Sequence, residues 1–178
     1  MSGPNAEPPV PSDRFRRVMG RWATGVCVVT ARDGAHDAGL TVNALLSVSL
    51  DPPSVLVSLQ RDVDTLPVLH RSRAFAVSFL AADQQALSQR FALAAPSEEK
   101  FRGVAVHRGT TGAPLLDGAL ATLECRVLSE TPTFDHVLVV GEVLRLDEGS
   151  DGPPLVFYRG RYATDEGHEL LRLPSRDR

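Results

Sequence analysis

Hydroxyl and amide side chains recur at alternate positions along two neighbouring segments, residues 41–50 and 54–60. If both segments are β-strands, alternate residues of each share one face. The polar faces would then hold Thr41, Asn43, Leu45, Ser47 and Ser49 in the first segment and Ser54, Ser58 and Gln60 in the second. A solvated face normally carries Lys, Glu and Arg, whereas neutral groups suit a partly buried surface that pairs with a neutral ligand. A flat heterocycle with several carbonyl and N–H groups would be such a ligand.

Small and basic residues flank these two segments. Gly39 and Ala44 would let a ring approach the backbone closely, and Arg61 and Thr65 stand where they could hold a phosphate near the start of a helix. An ordinary sheet with one dry and one wet face is the commoner explanation of such alternation, and it stays open at this point. Its dry face would hold Val42, Ala44, Leu46, Val48 and Leu50.

The elements that must position these residues are mostly strands. Apolar runs separated by Gly, Pro and Asp predict strands at residues 26–31, 39–50, 54–60, 75–81, 104–107, 119–129, 136–146 and 154–159. Helices are predicted at residues 64–70 and 82–92, and Ser97 is predicted to cap a further short one. The resulting fold class is mainly β, an antiparallel barrel decorated by a few helices.

One amphipathic helix is predicted before the first strand. Ser12 would cap it and Gly25 would end it. Its apolar face would hold Phe15, Val18, Met19 and Trp22, which recur at steps of three, one and three.

The composition is that of one soluble domain. The 178 residues are 43% apolar and 23% charged, with a net charge of −3 and no basic run, which argues against nucleic acid or an acidic membrane as the main partner. The N-terminus lacks a basic and an apolar leader region, so we expect a cytoplasmic protein. We expect residues 1–12 to be disordered, residues 13–163 to form the domain and residues 164–178 to be a tail.

The chain lacks the motifs of several other chemistries. GxGxxG, a Walker sequence, HExxH and CxxC are all missing, so a Rossmann nucleotide site, phosphoryl transfer, zinc hydrolysis and dithiol chemistry have no support. The five histidines are scattered, and we expect no metal site. Cys27 and Cys125 lie inside apolar runs and are expected to be core residues.

Five segments in order resemble the flavin reductase family with the FMN-binding split-barrel fold, across almost all of residues 15–162. The matching segments are GLTVNALLSVSLDPPSVLVSLQR, FAVSFLAADQQALSQRFA, GAPLLDGALATLECRV, DHVLVVGEV and YRGRY. The resemblance implies a homodimeric split barrel that binds FMN or FAD and takes hydride from NADH or NADPH. It also implies a partner monooxygenase that receives the reduced flavin.

The resemblance also assigns residues to the two ligands. On the flavin side it implies Thr41, Val42, Asn43, Ala44, Ser58, Leu59, Gln60, Arg61, Thr65, Arg90, Phe91 and Lys100. On the nicotinamide side it implies His136, Tyr158, Arg159, Gly160, Arg161 and Tyr162. We expect nicotinamide C4 to stack against flavin N5, with His136 or a backbone N–H as the donor that tunes the flavin.

Three positions depart from the family pattern. Ala44 and Ser78 stand where Ser and Asn are common, and Val63-Asp64-Thr65 stands where Ser-x-Thr is common. A phosphate-side hydroxyl is thereby lost and Asp64 is placed in this segment, so FMN and FAD both stay open. Each assigned residue also has an ordinary interpretation, with His136 in a turn, Phe91 in the core and the arginines in solvent. The competing functions are another flavoenzyme on the same barrel, or a flavin- or haem-binding module without turnover.

Overall fold

The computed structural model describes residues 9–163, which form twelve strands and four α-helices. The helices are α1 (Ser12–Met19), α2 (Thr65–Ser72), α3 (Gln85–Phe91) and α4 (Ser97–Phe101). The strands are β1 (Thr24–Gly25), β2 (Cys27–Asp33), β3 (His36–Val42), β4 (Leu45–Leu50), β5 (Pro53–Gln60), β6 (Ala74–Phe79), β7 (Val106–Arg108), β8 (Pro114–Leu116), β9 (Ala121–Thr133), β10 (His136–Glu148), β11 (Val156–Tyr158) and β12 (Arg161–Tyr162).

Seven strands form one antiparallel sheet in the order β3-β2-β6-β9-β10-β5-β4. Its two edge strands, β3 and β4, follow each other in the chain and are separated only by Asn43 and Ala44. The Ser58 N–H on β5 donates to the Ala44 carbonyl at 3.1 Å, which ties this short connection to the far side of the sheet. The sheet therefore curves until its edges approach each other, and the predicted split β-barrel is confirmed.

The barrel interior is one apolar cluster with contributions from most strands of the sheet. It includes Val29 from β2, Val57 from β5, Phe75 from β6 and Val139 from β10, all fully buried. Gly141 lies where a Cβ atom would be 2.5 Å from the Phe75 ring, so this strand crosses the ring only because the residue has no side chain.

The prediction of one strand over residues 39–50 was wrong. The chain leaves the β3 edge at Val42 and joins the β4 edge at Leu45, so the side chains on either side of the break do not share a face. A register shift between Ser47 and Ser49 interrupts the alternation again. The predicted dry face is also wrong beyond Val42, because Leu46, Val48 and Leu50 are exposed.

The strand over residues 54–60 was predicted correctly. In β5, Val55, Val57 and Leu59 are buried in the barrel, while Ser58 and Gln60 lie on the opposite face. The strands β1, β8 and β12, of two or three residues each, were not predicted.

Helix α1 begins and ends earlier than its residue pattern suggested. Pro11 occupies the capping position and Ser12 is already helical, so Ser12 is not the cap. The helix ends at Met19 because Arg21 and Trp22 turn back on Val18 and Met19, and Gly20 accepts a hydrogen bond from Arg159. None of its residues is buried, so its apolar side chains do not pack on this chain's core.

Two other expectations concern α4 and the thiols. Ser97 is the first residue of α4 rather than its cap, and its hydroxyl donates to Asp64 at 2.8 Å. Cys27 and Cys125 are buried as expected, and burial raises the pKa of each thiol to about 12.

None of the helices within residues 9–163 is long and apolar enough to span a lipid bilayer.

Candidate functional site

An open, largely apolar groove of about 1120 Å³ runs beside the break between β3 and β4. Asn43, Ala44 and Leu45 from the break and Ser58 from β5 form one wall. The opposite wall comes from α1 and the loop after it, and from the segment around β11; its members include Phe15, Met19, Trp22, Thr24, Leu155, Phe157 and Gly160. The Thr24 hydroxyl is buried and has no hydrogen-bond partner within residues 9–163.

Polar residues continue from the groove along one rim of the sheet. Ser58 pairs with Leu138 across β5 and β10, and two residues further Gln60 pairs with His136. The Arg61 N–H donates to the Asp135 carbonyl at 3.1 Å, which fixes the end of β5 against the β9–β10 turn. The structure therefore brings Ser58, Gln60, Arg61 and His136 onto one rim next to the groove.

His136 forms a pair with its neighbour Asp135. Its Nδ1 lies 2.9 Å from the Asp135 carboxylate, and this hydrogen bond is the main reason that the pKa of Asp135 is below its ordinary value. An ionised carboxylate can only accept, so Nδ1 carries the proton and Nε2 is the ring nitrogen left for another partner.

Thr41 and Tyr162, assigned by resemblance to different ligands, meet at one residue of α3. The Thr41 hydroxyl donates to the Ser88 carbonyl at 2.6 Å, and the Ser88 hydroxyl lies 2.7 Å from the Tyr162 hydroxyl. Ser88 is completely buried. This chain of bonds, the Ser88 bridge, connects the end of β3 with β12.

The β11–β12 turn is held against the end of α1. Arg159 and Gly160 both have left-handed backbone conformations, with φ of 51° and 76°. The Arg159 N–H donates to the Gly20 carbonyl at 2.8 Å, which places Gly160 on the groove wall. The Arg159 guanidinium lies 5.2 Å from the centre of the Tyr158 ring, and Arg161 is exposed.

Of the two residues assigned to the phosphate, Arg61 is exposed on the rim and Thr65 lies in the interior next to Asp64. Thr65 is fully buried, and within the described part of the chain its hydroxyl has no partner. The Lys100 ammonium, also buried, lies 3.3 Å from the Gly39 carbonyl and 3.7 Å from the Asp64 carboxylate. Asp64 thus contacts both Lys100 and Ser97.

Several assigned residues lie in the core rather than at an open surface. Val42 and Leu59 belong to the barrel interior, and Phe91 packs edge-on against Phe101. Gly39 does admit a ring, but the ring is that of Phe91, because a Cβ atom here would be 2.9 Å from it. The Gly39 space is therefore filled by this chain itself.

The sequence interpretation missed Ser88 and the α1 wall of the groove. Ser88 lies three residues before Phe91 on the same helical face, a spacing that would have indicated an inward side chain. The apolar residues of α1 were predicted to share one face of a helix but were not assigned to the site. Arg90 is exposed and donates to the Arg102 carbonyl at 2.9 Å, away from the groove lining.

Among residues 9–163, no group of three or more His, Cys, Asp or Glu side chains could hold a metal ion.

A split barrel with an apolar groove and a polar rim is the architecture of a protein with a site for a flat heterocyclic ligand. Residues 19–165 match the model of the Flavin reductase like domain. The chain belongs to this family.

Two relatives resemble the chain over most of both lengths. It is 39% identical to the reductase component of a 4-hydroxyphenylacetate 3-monooxygenase from Thermus thermophilus, covering 84% of this chain and 94% of that protein. It is 40% identical to an NADH-dependent flavin reductase from a Rhodococcus species, covering 90% of each. A solved NADH:FAD oxidoreductase from Streptomyces globisporus, in complex with NAD and FAD fragments, superposes with a TM-score of 0.81 at 36% identity, covering 89% of this chain and 96% of that structure.

Proposed function

We propose that this protein is an oxidoreductase that uses NADH or NADPH to reduce FMN or FAD and that it supplies the reduced flavin to a separate monooxygenase. The observation that carries the proposal is the groove at the β3–β4 break, with Asn43, Ala44 and Ser58 in its wall, in a chain of the flavin reductase family. At about 1120 Å³ the groove exceeds the roughly 300–1,000 Å³ of sites that enclose one small ligand. It has room for two stacked ring systems.

The residues present fit a flavin and a nicotinamide. The Thr24 hydroxyl, buried without a partner, gains one if a ligand carbonyl or N–H enters the groove. Bound flavin supplies the chemistry by accepting two electrons and a proton as hydride from the nicotinamide donor. Asn43 and Ser58 offer neutral hydrogen bonds to its ring, the apolar wall excludes water, and His136 offers Nε2 at the rim.

A homodimer is part of the proposal. Phe15, Met19, Trp22 and Leu46 line the groove and are exposed in the single chain, and Val48, on the same strand as Leu46, is exposed next to it. A second copy seated over these side chains would bury them and cover the groove. The proposal also places the reaction in the cytoplasm.

A simple assay separates turnover from binding alone. Purified protein mixed with NADH and free FMN in air is expected to cause rapid loss of the nicotinamide absorbance, whereas a binding module quenches flavin fluorescence without oxidising NADH. Replacing FMN by FAD, and NADH by NADPH, determines the two preferences. A steady nicotinamide signal in all four mixtures would contradict the proposal.

The role of His136 is tested with a matched pair of variants. His136→Ala removes the rim imidazole and is expected to raise the KM for the nicotinamide or to slow flavin reduction. His107→Ala is the control, because His107 also pairs with an aspartate, Asp117 at 2.6 Å, but lies on β7, which pairs with β8 and has no part in the rim formed by β5 and β10. Equal kinetics in the two variants would remove His136 from the site.

A further inference from the structure

The turn between β9 and β10 carries an aromatic residue where the backbone favours glycine. Thr133 pairs with His136, so the loop consists of Phe134 and Asp135 alone. Phe134 has a φ of 54°, and Asp135 is not among the left-handed residues. A two-residue loop that is left-handed only at its first position is the type II′ pattern, in which glycine is preferred at that position. The Phe134 side chain therefore does not stabilise the turn.

The Phe134 side chain does not pack against the protein's core. Phe134 is 92% exposed, the highest value among the large apolar residues described. It takes part in none of the aromatic or cation–π contacts found within residues 9–163. Both its backbone conformation and its exposure are unfavourable, and no contact found within residues 9–163 compensates for them, so we look for the compensating contact in a bound molecule.

The position of the turn indicates which molecule this is. Asp135, the next residue, binds the Arg61 N–H through its carbonyl, and His136 pairs with Gln60. Phe134 thus borders the rim at which the two nucleotides meet under the proposed function, on which this inference rests. Arg61 offers a cation suited to a pyrophosphate, and a phenyl ring with both faces free suits a flat heteroaromatic ring.

We propose that Phe134 stacks on the adenine ring of a dinucleotide bound at this rim, with the pyrophosphate next to Arg61. NADH and FAD both carry an adenine, whereas reduced nicotinamide mononucleotide and FMN carry none. The phenyl group has no hydrogen-bonding atoms, so it recognises the presence of the ring and not its substituents.

Phe134→Gly is the decisive variant. Because glycine suits the backbone conformation of this turn, a loss of function in the variant cannot be ascribed to a damaged fold. We expect its melting temperature to equal or exceed that of the wild type. With FMN as acceptor, the ratio of the KM for NADH to the KM for reduced nicotinamide mononucleotide is expected to rise at least about fivefold. Phe134→Trp, which keeps an aromatic face, is expected to preserve the ratio.

The two sources of adenine give different patterns. A rise in the ratio identifies the adenine of NADH, whereas a higher KM for FAD with an unchanged KM for FMN identifies that of the flavin. Unchanged constants for all four nucleotides, or dissociation of Phe134→Gly into monomers, would overturn the inference.

A binding measurement keeps this inference separate from the proposed activity. Calorimetric titration with ADP-ribose, which contains the adenine and pyrophosphate but no reactive ring, is expected to show weaker binding to Phe134→Gly than to the wild type. That result would hold even if the wild type failed to oxidise NADH. Equal ADP-ribose affinity in both proteins would contradict the stacking contact.

Discussion

Ser88 connects the two ligand sides of the site through two different atoms. Its carbonyl accepts from Thr41 and its hydroxyl pairs with Tyr162, both within a completely buried environment. Because the carbonyl belongs to the backbone, a substitution at Ser88 breaks only the bond to Tyr162. The two halves of the Ser88 bridge can therefore be separated by mutation.

We expect Ser88→Ala to raise the KM for NADH and to leave the KM for flavin nearly unchanged. Loss of one buried hydrogen bond costs about 0.5–1.5 kcal/mol, which corresponds to roughly a two- to tenfold change. Thr41→Val removes the other half and should give the reverse pattern. Steady-state kinetics with each substrate varied in turn measures both.

A double-mutant cycle provides the control for this prediction. Tyr162→Phe breaks the same bond from the other side, so the double variant Ser88→Ala with Tyr162→Phe should lose little more than either single variant. Fully additive losses would mean that the two hydroxyls act independently and that the Ser88 bridge has no part in positioning Tyr162.

The open wall of the site could be predicted from the sequence, while the supporting contacts could not. Asn43 and Ser58 were found because neutral polar residues alternate along the two segments, and Ala44 because of its small side chain; both are local features. The Phe91 ring fills the space next to Gly39, although the two residues are 52 positions apart in the chain. No local pattern records such a contact.

At the scale of elements, a buried carboxylate on β9 holds the loop between β7 and β8. Glu124 accepts from the N–H groups of Thr110 and Thr111 and from the Thr111 hydroxyl. A Cβ atom on Gly109 would be 1.9 Å from its Oε1, so the loop fits around the carboxylate only with glycine there. Arg145 on β10 donates to the Thr110 hydroxyl at 3.2 Å and closes the cluster.

The charge state of Glu124 makes the stability of this loop depend on pH. Burial by itself raises the pKa of this carboxyl, but the hydrogen bonds from Thr111 and Thr110 and the nearby Arg145 charge outweigh it, so the pKa lies below the ordinary value of 4.5. A lowered folded-state pKa contributes stability above about pH 4.5, and this contribution is lost as the pH falls through the folded-state value.

We expect Glu124→Gln to lower the free energy of unfolding by about 1–3 kcal/mol at pH 7, because the amide N–H₂ cannot accept from the loop N–H groups. Urea unfolding at a series of pH values should show this difference shrinking below about pH 4.5, where the carboxyl of the unfolded chain takes up a proton, until the pH has fallen through the lower folded-state pKa. Glu148→Gln, an exposed carboxylate at the end of β10, is the control and should stay close to the wild type. A constant difference at every pH would contradict the role of the Glu124 charge.

Strand existence was more predictable than strand continuity. Alternation identified β5, and apolar runs identified β2, β6, β9 and β10 within a few residues. The break at Asn43 and Ala44 was missed because it is made by barrel closure, in which β3 and β4 become opposite edges of one sheet. The alternation of residue types in the sequence continues through such a break. Only the pairing partners, β2 for β3 and β5 for β4, show that the segment forms two strands.

For the whole molecule, the apolar side chains of α1 and β4 form a surface that the described part of the chain leaves exposed. The periodicity of Phe15, Val18 and Met19 correctly indicated an apolar face, but a sequence pattern does not say whether the covering surface belongs to the same chain. β4 is an edge strand with Val48 and Leu50 exposed, the kind of edge that proteins normally cover. Both surfaces belong to the proposed dimer contact.

We expect the wild type to sediment at twice the 19.2 kDa of the chain. The double variant Val48→Lys with Leu50→Lys should sediment as a monomer, because burying each such side chain contributes about 1.5–3 kcal/mol and two buried charges oppose association. Its dissociation constant is therefore expected to rise at least about a hundredfold. Because Leu46 on the same strand lines the groove, the monomer should also bind flavin more weakly.

The matched control for this prediction is Leu144→Lys with Leu146→Lys, which places the same charges on exposed leucines of β10. This variant should remain a dimer with the wild-type flavin affinity, since neither leucine lines the groove. If the β10 variant dissociates and the β4 variant does not, the second copy covers the other face of the barrel. The groove would then have to be closed by α1 and the loop after it from the same chain; Trp22 in this loop is 72% exposed and already lines the groove.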